Sequence, residues 1–138
     1  MGIFGNSADI IVDINLIIQY VILVLLVIGY IKKKPYRSHG NLMLLTTLLT
    51  LATILTIMVP RLVMFYALYP PLIYIHAIIG GITIAIALLF NIRFMTALRG
   101  KQPLKCGTKN AMRIALLIWL ITLFGGTLIY LETYVLAA

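Results

Sequence analysis

The chain has 138 residues, is 63% hydrophobic and only 10% charged, and its mean hydropathy is +1.13. That is too apolar for a water-soluble fold of this length and predicts one integral-membrane domain over residues 1–138. The formal net charge of +8 is gathered in two short stretches, which argues for membrane topology and attraction to anionic lipid and against nucleic-acid binding.

Apolar runs of about 20 residues match the length of a transmembrane helix, and four are predicted, over residues 10–31, 41–59, 72–94 and 111–131. The first run is too long for the core of a signal peptide, and no Lys or Arg precedes it. Asp13, Asn15 and Gln19 make its beginning the most polar part, and "MGIFGN" lacks the Ser or Thr of a myristoylation signal. "IKKKPYRSHG" leads into the second run, with Ser38 as its candidate cap. Pro60 is expected to end that run, and Pro70–Pro71 to open the third. "LRGKQPLKCGTKN" is the longest polar link and precedes the fourth run. Links this short between sequential helices predict an antiparallel up-down-up-down bundle.

Ten of the eleven basic residues lie in or beside residues 32–40 and 93–113; Arg61 alone lies on the other side, with the acids Asp9, Asp13 and Glu132. The positive-inside rule then places these basic loops in the cytoplasm and both termini outside, in a multi-pass protein of the cell membrane.

Polar and small residues mark the expected interior. His39, Met43, Thr46, Thr50 and Thr53 recur at helical spacing and form one stripe of the second run. Ala77, Gly81 and Ala85 form a small-xxx-small ladder on the third, predicted to meet another helix closely, and Thr122 and Gly126 share that spacing on the fourth. Trp119, in mid-helix, reads as core, its N–H needing a partner such as a threonine.

The two histidines, His39 and His76, begin consecutive helices that run in opposite senses. Their side chains are therefore expected about 20–25 Å apart, which excludes a single metal or haem iron held by both. Near His39, the residues Met43, Cys106 and Met112 supply thioether and thiol donors, which with imidazole suit copper(I); His with Met also suits haem iron. Cys106, the single cysteine, reads more readily as a reduced cytosolic thiol. Near His76, Gly80 is expected to clear space beside the ring, Met58 to offer a second soft ligand, and Asp13 to bond the free ring nitrogen. His76 lies deeper than His39 and is the better cofactor candidate, since His39 is within reach of water and headgroups. No CxxC pair, HExxH helix, phosphate loop, nucleophile–base pair or paired catalytic carboxylates occur, so the chain does not read as an enzyme.

The stretches "RSHGNLMLLTTLLTL", "IMVPRL", "YIHAIIGGI" and "CGTKNAMRIALLIWLITLFGGTLIYL" resemble the CtaM/YozB-like domain-of-unknown-function family of small membrane proteins, and its archaeal branch more closely. The resemblance runs from about Asp13 to Tyr130 and is carried by His39, Met43, Met58, Pro60, His76, Gly80, Cys106, Met112, Arg113, Trp119 and Tyr130. It implies a four-helix fold and, from the bacterial members, a part in maturing a haem–copper quinol oxidase. Those members carry another histidine before the fourth helix, where this chain has Thr108 and Lys109. Two expectations follow. One is an assembly or accessory subunit of a respiratory haem–copper complex that holds haem or copper. The other is a cofactor-free structural subunit packed against larger membrane partners.

Overall fold

The computed structural model describes residues 2–5, 7–104 and 107–136. These residues form four helices long and apolar enough to cross a membrane: α1 (Ile10–Ile31), α2 (Tyr36–Met64), α3 (Pro71–Arg99) and α4 (Lys109–Leu136). No strand occurs among the described residues. Contacts run α1 to α2, α2 to α3, α3 to α4 and α4 back to α1, so the helices close into a ring.

Four helix ends lie five residues beyond the sequence reading, among them that of α4, at Leu136 rather than residue 131. α2 begins at Tyr36 with Pro35 as its N-cap, so Ser38 lies inside the first turn and makes no cap. Pro60 does not end α2, which runs on to Met64. Proline removes an N–H and its ring crowds the carbonyl four residues back; here the turn just before it, Ile54–Met58, widens to π-helical form, which accommodates the misfit within a continuous helix. α3 runs past residue 94 to Arg99 and ends in a left-handed cap. Lys101 has φ 52°, and the Gln102 N–H returns to the Ala97 carbonyl at 3.1 Å, the six-to-one bond of a Schellman motif. α4 starts at Lys109, with the Thr108 hydroxyl accepting from the Ala111 N–H.

The apolar core is small: Ile22 and Leu26 of α1, Ala87 of α3, and Trp119 and Leu123 of α4, with Met43 and Leu49 of α2 packed against it. Trp119 is core as expected, although its indole N–H bonds no threonine among the described residues. Most large aliphatic side chains instead point outward, among them Val24, Leu55, Ile78, Leu89, Leu117 and Ile121.

Polar contacts cross every interface of the ring. Gln19 Nε2 donates to Thr53 Oγ1 (3.3 Å) between α1 and α2, and Asn91 Nδ2 donates to Thr47 Oγ1 (2.7 Å) between α2 and α3. Thr83 and Thr122 share a hydroxyl bond (3.1 Å) between α3 and α4, and Tyr130 donates to Asp13 (2.5 Å) between α4 and α1. The threonines of α2 also bond carbonyls a turn back, Thr46 to Leu42 and Thr50 to Thr46, each at 2.8 Å.

The face of α3 that packs is not the predicted ladder. Gly81 and Ala85 are exposed, Ala77 is half-buried, and a Cβ built at Gly81 meets nothing within 4 Å. Thr83, Ala87, Asn91 and Phe94 are buried instead, a face rotated by ~200° from Gly81 to Thr83. Thr83 and Asn91 need hydrogen-bond partners and Ala87 between them is equally small, so the polar requirement selects that face. Close approach occurs where α2 meets α3, at Gly40, whose added Cβ would lie 2.2 Å from the Phe94 ring.

Gly40→Ala should therefore displace the fully buried Phe94 and destabilise the bundle by about 1–3 kcal/mol, whereas Gly81→Ala should leave the isolated chain at least as stable. Reversible unfolding of the two variants in mixed micelles, followed by far-UV circular dichroism, tests the assignment of faces.

Candidate functional site

The polar residues of the first half of α1 gather at one end of the bundle. Asp13 has no exposed surface. Its Oδ1 accepts from the Tyr130 hydroxyl at 2.5 Å and its Oδ2 from the Phe4 backbone N–H at 3.3 Å. The first is the length of a charge-assisted O–H···O⁻ bond, and a buried carboxylate is tolerated only with such donors. One turn earlier on α1, Asp9 makes an ion pair with Arg61 of α2 at 2.7 Å. Ser7 donates to the Tyr134 carbonyl at 3.0 Å, and the Tyr130 and Tyr134 rings lie 5.6 Å apart. In the link before α3, Tyr69 sits edge-on to Phe65; burial and the neighbouring Tyr134 hold its hydroxyl above the usual tyrosine range, with Arg61 pulling the other way. Tyr74 closes the link by donating to the Tyr66 carbonyl.

His76 belongs to this end but not to this network. Its ring lies against the backbone of α4 at Gly125–Gly126: a Cβ at Gly126 would sit 3.1 Å from Cε1 and 3.5 Å from Nε2, and one at Gly125 3.6 Å from Nδ1. The double glycine is what lets an imidazole pack flat between α3 and α4. Gly80, expected to make that room, faces Thr122 instead, at 3.5 Å from its methyl group. Asp13, expected to bond the free nitrogen of His76, bonds Tyr130 and Phe4. Met58 is half-buried within the widened turn of α2 and is not joined to His76 by any described contact. The ring of His76 makes no hydrogen bond among the described residues.

At the opposite, basic end, His39 and Met43 share a face as the spacing predicts, and both are used in packing. His39 Nδ1 lies 2.9 Å from the Gly29 carbonyl of α1. A carbonyl only accepts, so the ring nitrogen facing it, Nδ1, carries a proton. Water and headgroups were expected to satisfy this histidine; α1 does so instead. The Met43 thioether is pressed into the α1 seam: its methyl would be 2.2 Å, and its sulfur 3.4 Å, from a Cβ at Gly29. Met112 is half-buried near the start of α4. Cys106 lies outside the described residues.

Copper held within the chain needs two or more converging donors, whereas haem iron takes a single proximal histidine where a cavity admits the macrocycle. Among the described residues no group of three or more His, Cys, Asp or Glu comes together, and His39 and His76 are seated at opposite ends of the bundle, on Gly29 of α1 and Gly125–Gly126 of α4. The described residues therefore form neither a three-ligand cluster of these types nor a bis-histidine haem site. Comparison of the chain with protein-family models, with curated proteins and with solved structures finds no match.

Sequence reasoning named Asp13 and Tyr130 separately but missed their pairing, across 117 residues. It also missed the Gly125–Gly126 seat of His76 and the Asn91–Thr47 bond. An Asn in mid-helix, facing the threonine stripe of its neighbour, was the available signal for the last.

Removing the Tyr130 hydroxyl leaves the buried Asp13 carboxylate with one donor fewer. Tyr130→Phe should cost about 1.5–3 kcal/mol, and Asp13→Asn in the Tyr130→Phe background should cost less than in the wild-type chain. A double-mutant cycle of unfolding free energies measures that coupling.

Proposed function

We propose that the protein is a multi-pass membrane protein with an antiparallel bundle, both termini outside and its basic loops in the cytoplasm. In that membrane it serves as an accessory or assembly subunit of a larger complex, without a cofactor bound by its own side chains. The observation that carries this reading is the use made of the polar residues. Asp13, Gln19, His39, Met43, Thr47, Thr83 and Asn91 are all engaged in joining the helices to one another, while the outward surface is a continuous sheath of large aliphatic side chains. Such a molecule offers lipid and partner helices a packing surface. The resemblance to the CtaM/YozB-like family directs the choice of partner to a respiratory haem–copper oxidase. Orientation rests on the basic residues: Lys32, Lys33, Lys34, Arg37, Arg93, Arg99, Lys101, Lys109 and Arg113 are exposed at one end.

A second reading is favoured by one residue. The His76 ring makes no hydrogen bond within the described chain, and an imidazole at membrane depth without a partner is costly. This histidine is available to share a haem or copper ligand set with a partner subunit, which is the form in which a cofactor role fits this chain.

Two measurements test these readings. An impermeant maleimide should label Ser7→Cys in intact cells, and Gln102→Cys only after permeabilisation, both on a Cys106→Ser background; the reverse pattern inverts the orientation. Affinity purification from native membranes should recover terminal-oxidase subunits equally with wild-type and His76→Ala chains, with no haem absorption band in the isolated chain. A band or bound copper that disappears in His76→Ala would select the shared-ligand reading.

A further inference from the structure

Arg93 stands about 9 Å, or two turns, short of the C-terminal end of α3 at ~1.5 Å per residue, on the outer flank of an apolar helix. It has no counter-charge among the described residues. The chain contains only three acids: Asp9 is paired with Arg61, Asp13 is buried against Tyr130, and Glu132 lies in the last turns of α4, beyond Tyr130. No ion pair or hydrogen bond to the Arg93 guanidinium occurs among the described residues. A long cationic side chain near a helix end reaches the headgroup region, where an anionic lipid phosphate is an available counter-charge.

The surroundings supply a shape for one. The Schellman turn at Gly100–Lys101 folds the following residues back along α3, so that Gln102 and Pro103 form a wall opposite the helix. Between them lies a cleft of about 390 Å³ lined by Ile92, Arg93, Thr96, Ala97, Gln102 and Pro103. Its one charged group is the guanidinium; the Gln102 amide adds an N–H donor and a carbonyl acceptor, and the Thr96 hydroxyl gives its own proton to the Ile92 carbonyl at 2.8 Å. Its other walls are aliphatic. The turn places a non-glycine residue, Lys101, at positive φ, a conformation that L residues rarely adopt. Among the other cations, Lys33 lies over the Tyr30 ring at 4.2 Å.

We infer that this cleft is a binding site for the phosphate headgroup of an anionic phospholipid, with Arg93 as its charge partner and Ile92, Ala97 and Pro103 against the glycerol and first methylenes. A guanidinium meets a phosphodiester through two parallel N–H···O bonds, and basic recesses beside transmembrane helices take anionic headgroups. The inference needs only that α3 cross a membrane and does not depend on the oxidase partner.

Native mass spectrometry of the full chain released from detergent micelles, titrated with dioleoylphosphatidylglycerol, dioleoylphosphatidylcholine or inorganic phosphate, tests it. Phosphatidylglycerol should bind at about one copy with roughly tenfold preference over phosphatidylcholine, as a charge-assisted contact gives. Arg93→Gln should remove that preference, and so should Thr96→Trp, which fills the cleft and keeps the charge; Lys109→Gln should retain it. Thermal unfolding of each variant establishes that it is folded, and the two cleft variants stand in for one another. Equal binding of the two lipids, retention in both cleft variants, or an equal loss in Lys109→Gln would overturn the site in favour of diffuse charge attraction. Displacement of phosphatidylglycerol by millimolar inorganic phosphate would overturn the lipid assignment in favour of a free-phosphate site.

Discussion

A polar group inside an apolar helix bundle has no water to fall back on, and this single constraint organises the molecule. No buried side-chain nitrogen or oxygen among the described residues lacks a hydrogen-bond partner. In a chain whose helices are otherwise Leu, Ile, Val and Ala, aliphatic packing is weakly directional, since one aliphatic neighbour or lipid tail substitutes for another. The bonds from Gln19 to Thr53, Asn91 to Thr47, Thr83 to Thr122 and Tyr130 to Asp13 are directional, and each joins a different pair of neighbours in the ring. Rotation of any one helix by a single residue, ~100°, would leave at least one of these groups unpaired at a cost of about 1–3 kcal/mol. Register and rotation are therefore set by a handful of polar contacts, and the apolar residues conform to them.

Glycine supplies the complementary condition, proximity. Gly40 admits the Phe94 ring, Gly29 admits the Met43 methyl, and Gly126 admits the His76 imidazole. Each is a large side chain of one helix lying on the bare backbone of its neighbour. His39 extends the pattern, since its Nδ1 reaches the carbonyl of the same Gly29 that accommodates Met43. The pair at i, i+4 that looks like a soft-metal motif in the sequence is thus two halves of one helix–helix contact. The imidazole takes the carbonyl, and the thioether takes the space where a Cβ would be.

How much of this was legible in the sequence depends on the range of the interaction. The existence and type of all four helices follow from run length alone, and the Thr46, Thr50 and Thr53 stripe is buried as its spacing predicts. Helix ends were less legible because local signals compete. Pro60 is a breaker in isolation, but the π-helical turn Ile54–Met58 takes up its misfit and the helix continues. The ladder on α3 illustrates the same limit at longer range. Ala77–Gly81–Ala85 and Thr83–Ala87–Asn91 both carry small residues at i, i+4 spacing, and only the partners Thr122 and Thr47, on other helices, decide between them. Asp13 was recognisable as a group needing a partner, but its partner lies 117 residues away, beyond what spacing along one helix reveals.

The two ends of the bundle answer the same physical demand in opposite ways. At the Asp9 end the chain carries its own compensation: Arg61 neutralises Asp9, and Tyr130 and a backbone N–H solvate Asp13. At the basic end the exposed cations outnumber any available carboxylate, because no acid remains to meet them. Self-repulsion among like charges favours separating them, yet short links confine them to one end. In the membrane orientation proposed above, an anionic leaflet would relieve that repulsion. The closed end confers uniqueness of fold, and the open end leaves its cations without an ion pair among the described residues.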